Sequence, residues 1–217
     1  MNISVSTLDI NYLKIKETID NLYEAGFRSL HLDVMDGNFV PQVSYGPKYV
    51  KDICEMYKEK FDLGCHLMVR DPIRDFPFYE KTGITTFMFH FESLYYREIK
   101  PFITDIKAKG IKPGIVINPK TNIEQIYEYL PKISSIMVMS VEPGYGGQPF
   151  QESTYARVEK IAKYREAKSL EFEIIVDGGI NPTNAKELKK LGANTFVVGS
   201  YIWKASNYKD ALMEFDN

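Results

Sequence analysis

The sequence predicts an α/β fold, a single (β/α)8 TIM barrel spanning residues 1–217 as one domain. Eight short apolar runs recur at similar spacing, and amphipathic segments separate them. Several runs are continuously apolar, which is typical of parallel strands buried on both faces. No early GxGxxG motif is present, which disfavours the alternative, an open doubly wound sheet. The runs cover residues 3–8, 29–35, 63–69, 85–91, 112–118, 134–141, 172–178 and 194–200.

The segments between the runs carry signals for helices. Residues 11–25 place four apolar side chains on one helical stripe, and Gly26 is expected to end that helix. Thr121 and Glu124 have the spacing of a capping box at the start of another helix. The stripe consists of Leu13, Ile19, Leu22 and Tyr23.

Single residues mark the ends of other helices. Asn181 followed by Pro182 is typical of an N-cap and a first helical turn, and Gly192 is expected to end that helix. Gly83 and Gly110 mark helix ends in the same way. No linker or low-complexity stretch interrupts this alternation, so the sequence gives no sign of a domain boundary.

The composition narrows the class of protein. Hydrophobic residues make up 44%, and 27 basic against 29 acidic residues give a net charge of -2. This balance does not indicate a nucleic-acid or membrane surface, and no run reaches the roughly 18 apolar residues of a membrane span. The N-terminal residues do not resemble a signal peptide, so a cytoplasmic location is expected. Cys54 and Cys65 form no CxxC motif and are expected to be structural, without a disulfide.

Four residues suited to metal binding lie in the apolar runs. His31 and Asp33 are two residues apart in one run, so both side chains should point to the same face of the sheet. His66 lies in the third run and Asp177 in the seventh. Barrel enzymes build their sites at the carboxyl ends of strands, where these groups would meet. The set suits one Zn²⁺, Fe²⁺, Mn²⁺ or Co²⁺ ion, and the residue types alone do not choose among them.

Other notable residues occur in or just after the runs. Three methionines close to these polar groups are predicted either to wall the metal site or to fill the core: Met35, Met68 and Met139. Polar or small residues at the ends of the remaining runs are Ser6, His90, Asn118, Gly199 and Ser200.

Glycine-rich loops follow the last three runs and indicate a phosphate site. Barrels commonly hold phosphate through backbone N–H groups after strands 7 and 8. Gly178 ends the seventh run and Gly179 follows it, while Gly199 and Ser200 end the eighth. The sixth run leads into residues 143–150, whose three glycines are typical of a mobile lid, although each could simply make a turn.

Seven segments, in chain order, read LHLDVMDGNFVP, CHLMV, HFE, IVINPKT, MSVEPGYGGQPF, VDGGI and VVGS. They resemble the successive motifs of the ribulose-phosphate 3-epimerase family, from Ile3 to about Ser200. The resemblance implies a metal-dependent (β/α)8 barrel that forms homodimers or hexamers. Its expected reaction interconverts ribulose 5-phosphate and xylulose 5-phosphate.

The resemblance also implies a role for each matching residue. The metal ligands would be His31, Asp33, His66 and Asp177, and they would hold one divalent ion per chain. Zn²⁺ is the ion expected first, and Fe²⁺, Mn²⁺ and Co²⁺ are the alternatives. Asp33 and Asp177 would also be the acid and base. The implied substrate contacts are Ser6, His66, Gly144, Tyr145, Gly146, Gly147, Asp177, Gly178, Gly179, Gly199 and Ser200.

The chain departs from the family pattern without losing a predicted ligand. Val5 stands where proline is usual, Asn38 replaces histidine, Gln42 replaces asparagine and Tyr145 replaces phenylalanine. A sister group acts on allulose 6-phosphate, a ketose one carbon longer, and often lacks a glycine of the PGxGG or DGG motif. This chain keeps both motifs, which favours the pentulose phosphate.

Two other classes compete with a metal-dependent epimerase. A metal-free phosphate-binding barrel, such as a decarboxylase or an indole-pathway enzyme, relies on a catalytic lysine or glutamate at strand ends. No lysine ends any of the first seven runs. A non-catalytic barrel that senses sugar phosphates would be expected to have lost a ligand or an aspartate, and none is missing here.

Overall fold

Eight parallel strands close into a barrel, in the order in which they follow along the chain. The computed structural model describes residues 1–216. The barrel prediction is confirmed, and the open sheet is wrong because β1 pairs with β8. The strands are β1 (Asn2–Ser6), β2 (Ser29–Met35), β3 (Asp62–Met68), β4 (Thr86–His90), β5 (Lys112–Ile117), β6 (Ser135–Met139), β7 (Glu173–Asp177) and β8 (Thr195–Val198).

Helices surround the barrel and bury their apolar faces against the strands. The main core lies between these two layers, and a second apolar cluster, with Met88 and Met137, fills the barrel interior. Within residues 1–216 the helices are α1 (Ile15–Ala25), α2 (Pro47–Tyr57), α3 (Pro72–Tyr79), α4 (Tyr96–Ala108), α5 (Ser153–Ala167), α6 (Pro182–Lys190), α7 (Ser200–Trp203) and α8 (Tyr208–Asp216).

The first helix starts later than predicted. A 3-10 turn, Tyr12–Lys14, precedes α1, and the side chain of Leu13 is 97% exposed. Placing Leu13 on the buried stripe was therefore wrong, since the chain is not yet helical there. Ile19 and Leu22 are fully buried as predicted, and Gly26 ends α1 with a φ of 107°.

The predicted capping box at Thr121 and Glu124 is also wrong. The chain forms only a 3-10 helix there, Ile123–Ile126, whose N-cap is Asn122. The Thr121 hydroxyl instead donates to Glu92, and Glu124 pairs with Lys160 on α5. Both side chains therefore bind residues that are distant in the sequence and do not cap the start of the helix.

Other end signals are confirmed. The Asn181 side chain accepts hydrogen bonds from the N–H groups of Thr183 and Asn184 at the start of α6. Left-handed glycines follow three helices at the predicted places: Gly83, Gly110 and Gly192. Cys54 and Cys65 are buried free thiols.

Strand register decides which side chains meet at the carboxyl end of the barrel. Asp33 on β2 pairs with His66 on β3, and Ser6 on β1 pairs with His31. No helix among residues 1–216 is long and apolar enough to cross a membrane. Asn217 lies outside the described residues, and the expectation of one domain over 1–217 stays a prediction.

Candidate active site

Four side chains from three strands converge on one point inside the barrel. Alternation along β2 turns His31 and Asp33 inward together, while His66 comes from β3 and Asp177 ends β7. One ligand atom from each residue lies within 4.8 Å of the other three. The structure therefore brings together all four residues predicted to bind metal.

The distances show how tightly this cluster is built. Asp33 Oδ1 lies 3.1 Å from His66 Nδ1 and 3.3 Å from His31 Nε2, and the two imidazole nitrogens are 3.2 Å apart. Asp177 Oδ2 is 3.8 Å from each of these nitrogens. Since His31, Asp33 and His66 are almost completely buried, these atoms face one another and not bulk water.

The chemistry of this donor set fits a divalent cation. Two carboxylates and two imidazoles direct their ligand atoms at one small volume, and a divalent cation there would balance the negative charge of the two aspartates. Mixed nitrogen and oxygen ligands are those that Zn²⁺, Fe²⁺, Mn²⁺ and Co²⁺ accept. Burial lowers the pKa of His66 to about 3, so the ring is neutral, which is the form that binds metals.

The two aspartates lie in different electrostatic surroundings. Burial alone would raise the pKa of Asp33, but the charge and hydrogen bond of His31 outweigh it and hold that pKa below its usual value. The Ser6 hydroxyl donates to Asp33 Oδ2 at 2.7 Å. Burial raises the pKa of Asp177 to about 7. Two carboxylates whose pKa values are shifted in opposite directions are typical of acid–base sites.

His90, at the end of β4, lies directly behind His66. The two Nε2 atoms are 2.8 Å apart, and His90 Nδ1 is 3.3 Å from Glu92 Oε2. Sequence analysis noted His90 at a strand end but assigned it no role. The structure shows that it contacts a predicted metal ligand and does not line the pocket.

A pocket opens above the cluster at the carboxyl end of the barrel. Met35, Met68 and Met139 line it and are buried, so they wall the site while also packing as core residues. The predicted site residues that line this pocket are Ser6, Asp33, Gly144, Tyr145, Gly146, Gly147, Asp177, Gly178, Gly179, Gly199 and Ser200.

Two predicted residues lie below this pocket. His66 was also expected to touch substrate, but its side chain is fully buried and does not line the pocket. His31 lines a separate cavity at the amino end of the barrel. Both imidazoles therefore lie beneath the pocket, within the ligand cluster, and neither lines the pocket itself.

The loops after β7 and β8 present free backbone donors to the pocket. Within residues 1–216, the N–H groups of Gly178, Gly179, Gly199 and Ser200 donate to no protein atom. The Ser140 hydroxyl holds the carbonyl groups of Asp177 and Gly178 and so fixes this loop. Unpaired N–H groups in such an arrangement attract anions.

Residues 143–150 lie across the mouth of the pocket. A side chain at Gly144 would collide with Val40, and one at Gly179 would collide with the backbone of Phe150. The Gln148 amide donates to the carbonyl groups of Glu142 and Tyr145 and so braces the loop internally. The loop is thus packed against neighbouring loops by residues that lack side chains at the contact points.

Sequence analysis missed several residues that line the pocket. Asp9 is the most notable, because its carboxylate packs against Gly146 and burial raises its pKa. Its place three residues after Ser6, in the loop that follows β1, was the available signal. The other missed lining residues are Leu8, Val141, Ile180 and Val197, whereas Pro143 and Gln148 lie in the loop 143–150 that the sequence predicted as a lid.

Comparison with known proteins gives a consistent result. The model of the ribulose-phosphate 3 epimerase family matches residues 2–203. The chain is 34% identical over 210 residues to the chloroplastic ribulose-5-phosphate-3-epimerase of Arabidopsis thaliana, covering 97% of this chain and 74% of that one. It is 30% identical over 215 residues to the ribulose-phosphate 3-epimerase of Bacillus subtilis, covering 99% and 97% of the two chains.

Solved structures with much lower identity share the fold. The 3-hexulose-6-phosphate synthase from Salmonella typhimurium superposes with a TM-score of 0.75 at 15% identity, covering 99% of this chain and 96% of that one. The tryptophan synthase alpha-subunit from Pyrococcus furiosus gives 0.69 at 16% identity, covering 98% and 96%. With the fold, the ligand cluster and these sequence matches in agreement, the chain belongs to the ribulose-phosphate 3-epimerase family of isomerases.

Proposed function

We propose that this chain interconverts D-ribulose 5-phosphate and D-xylulose 5-phosphate in a metal-dependent 3-epimerisation. One observation carries the proposal: Asp33 and Asp177 reach the same small cluster from strands that are not neighbours, at the floor of one pocket. Two such groups can remove a proton on one face of a carbon and return one on the other face without turning the intermediate over.

One divalent ion per chain is part of the proposal, with Zn²⁺ the first choice and Fe²⁺, Mn²⁺ or Co²⁺ as alternatives. His31, Asp33, His66 and Asp177 would hold it. Such an ion supplies positive charge that stabilises the enediolate formed when the proton α to the ketose carbonyl is removed.

The aspartates perform the proton transfers. One carboxylate accepts the proton from C3 of the ketose, and the other donates a proton to the opposite face, so the intermediate need not turn over in the pocket. The Ser6 hydroxyl fixes Asp33 through Oδ2 and thereby keeps one carboxylate in position. Met35, Met68 and Met139 give the reacting carbon an apolar cover that excludes water.

The phosphate end of the substrate would bind at the loops that follow β7 and β8. The free N–H groups of Gly178, Gly179, Gly199 and Ser200 are the donors. The predicted phosphate loops carry no arginine or lysine, so backbone donors must supply the attraction. Residues 143–150 would close over the bound sugar.

Deuterium incorporation provides the test. Metal-loaded protein is incubated in D₂O with ribulose 5-phosphate or with allulose 6-phosphate, and the label at C3 is followed by NMR. We expect faster exchange and epimerisation of the pentulose phosphate. Faster turnover of allulose 6-phosphate would move the assignment to the six-carbon sugar, and binding of either sugar without exchange would indicate a non-catalytic sensor.

The proposal also covers the oligomeric state and the cellular location of the protein. Family membership supports a homodimer or hexamer that acts on small sugar phosphates in the cytoplasm, without nucleic-acid or membrane partners. Light scattering on the purified protein would count the subunits, and a monomer would contradict this part.

A further inference from the structure

A line of hydrogen bonds runs outward from the ligand cluster, from two buried histidines to a partly exposed carboxylate, and is not explained by substrate binding. It passes from His66 to His90 and from His90 to Glu92, with Nε2 to Nε2 at 2.8 Å and Nδ1 to Oε2 at 3.3 Å. Both imidazoles are completely buried, and their ring centroids lie 5.0 Å apart with an angle of 27° between the ring planes, so the rings meet edge to edge. Phe39 covers the His90 ring at 4.6 Å.

Glu92 is itself held from its far side. Its Oε1 accepts hydrogen bonds from the Asn118 N–H, at 2.9 Å, and from the Thr121 hydroxyl. Arg157 on α5 donates to the carbonyl groups of Asn118 and Thr121, at 2.8 and 3.0 Å, which fixes the loop that carries these donors. Glu92 is thus tied into the wall of the barrel on the side away from the pocket.

Glu92, at the outer end of this line, decides which nitrogen carries the proton in each of the two imidazoles. Glu92 Oε1 already accepts from two donors, the Asn118 N–H and the Thr121 hydroxyl, and such hydrogen bonds favour the ionised carboxylate. A carboxylate can only accept, so His90 must carry its proton on Nδ1. His90 Nε2 is then an acceptor, and His66 must donate to it from its own Nε2.

The consequence falls on the other nitrogen of His66. A neutral imidazole has one proton, so a proton on Nε2 leaves the Nδ1 lone pair free. That Nδ1 is the atom that lies 3.1 Å from Asp33 Oδ1 and 3.2 Å from His31 Nε2, inside the ligand cluster. The opposite tautomer would put a hydrogen on the nitrogen that faces the ligand cluster, and that nitrogen could not then bind a metal.

We propose that Glu92, acting through His90, is a positioning residue that fixes the tautomer of His66 for metal binding. This inference rests on the proposed metal dependence. Partners of this kind are general for metal-bound histidines, and their loss typically costs about 10- to 100-fold in metal affinity. Neither His90 nor Glu92 lines the pocket, so their effect on the reaction is indirect.

Glu92→Gln tests the direction of the line because the amide cannot satisfy both ends as the carboxylate does. The Asn118 N–H is a fixed donor, so the amide oxygen must take the Oε1 position and the NH₂ group must face His90 Nδ1. His90 would then have to accept on Nδ1 and donate from Nε2. His66 would be pushed into the tautomer that protonates its Nδ1.

The chain is well suited to a direct measurement, since it contains only three histidines and all three lie in this network. Ring ¹⁵N NMR of Zn²⁺-loaded protein should show wild-type His90 protonated at Nδ1 and His66 at Nε2. Competition titration should show Zn²⁺ affinity reduced about 10- to 100-fold in Glu92→Gln. Glu92→Asp keeps an acceptor and should recover part of that loss.

The matched control is Glu124→Gln, which removes a carboxylate from an exposed pair with Lys160 and should change neither tautomers nor affinity. A wild-type His90 protonated at Nε2 would overturn the proposal even if Glu92→Gln did not fold. Unchanged affinity in a folded Glu92→Gln would overturn it too. Wild-type protein that binds no metal would remove the proposed function together with this inference, whereas active, metal-bound protein with reversed tautomers would remove this inference alone.

Discussion

The backbone of Gly146 packs against the carboxylate of Asp9 so closely that a methyl group on Gly146 would overlap the Asp9 side chain. This contact joins the loop 143–150 to the loop that follows β1, and both line the pocket. Gly147, the next residue, has open space around it but a φ of 70°. The two glycines therefore constrain the loop for different reasons, one by contact and one by backbone conformation.

Replacing these glycines should slow turnover while leaving metal affinity unchanged. Gly146→Ala should lower kcat because the loop can no longer settle against Asp9. Adding Asp9→Ala should restore room for the methyl group and recover part of the rate, whereas it should not help Gly147→Ala. Steady-state kinetics and Zn²⁺ titration of the four variants provide the measurement.

Hydrogen exchange checks that the loop acts as a lid. The amides of residues 143–150 should be better protected when a sugar-phosphate analogue is bound. Equal protection with and without the analogue, together with a normal rate for Gly146→Ala, would mean that the loop is a fixed wall.

Asp33→Asn and Asp177→Asn should each lose nearly all turnover. An amide cannot accept the proton from C3 and is a poorer metal ligand, and general bases commonly contribute about 10²- to 10⁴-fold. The losses should be far from additive, because both groups serve one transfer. Asp105→Asn on α4, at an exposed position, is the matched control. More than about a tenth of the activity in either variant would contradict an acid–base role for that residue.

Removing the metal should abolish activity and adding it back should restore it. A chelator strips the protein, and Zn²⁺, Fe²⁺, Mn²⁺ or Co²⁺ is then supplied in turn while the bound metal is counted. We expect one ion per chain in the wild type and a lower content in His66→Ala, which lacks one of the four converging ligand atoms. Full turnover by metal-stripped protein would rule out this dependence.

Side chains at Gly199 should weaken binding of the phosphate without disturbing the fold. A Cβ there would make only ordinary contacts, at 3.5 Å from Ser6 Cβ, so Gly199→Ala should fold normally. The larger Gly199→Val should raise KM by about tenfold or more, because it blocks close approach to the N–H groups. Thermal unfolding and metal content serve as controls. If both variants keep the wild-type KM, the phosphate binds elsewhere.

Two leucines near the first helix should differ sharply in their effect on stability. Leu22→Ala removes a fully buried side chain and should lower the free energy of unfolding by about 2–5 kcal/mol. Leu13→Ala changes a side chain that is 97% exposed and should stay within about 0.5 kcal/mol of the wild type. Denaturant unfolding of the two variants measures both, and similar losses would contradict the burial of α1.

The strands and the four converging residues could be predicted because their signals are local. The apolar runs indicate strands, and the two-residue period of a strand places His31 and Asp33 on one face. Asp177 stands out because it is a charged residue near the end of an apolar run. The capping box at Thr121 failed for the opposite reason. Its hydroxyl has a partner in Glu92, 29 residues away, which no local pattern reveals.

The same limit explains the role left open for His90 and the omission of Asp9. His90 was visible at a strand end, but only the pairing of β3 with β4 places it behind His66. Asp9 was overlooked because a carboxylate in a loop is usually solvated, and its contact with Gly146 depends on how two distant loops fold over the barrel.

The order of the strands along the chain also has a consequence for folding during translation. His31, Asp33 and His66 are all synthesised early, but Asp177 follows only after four more strands have begun, roughly 5–20 s later at typical rates of translation. Until β8 is made, β1 lacks one of its two neighbours. A nascent chain therefore carries three of the four converging ligands, without the fourth, for about half of its synthesis. The proposed metal ion could therefore enter a complete site only after β7 has joined the barrel.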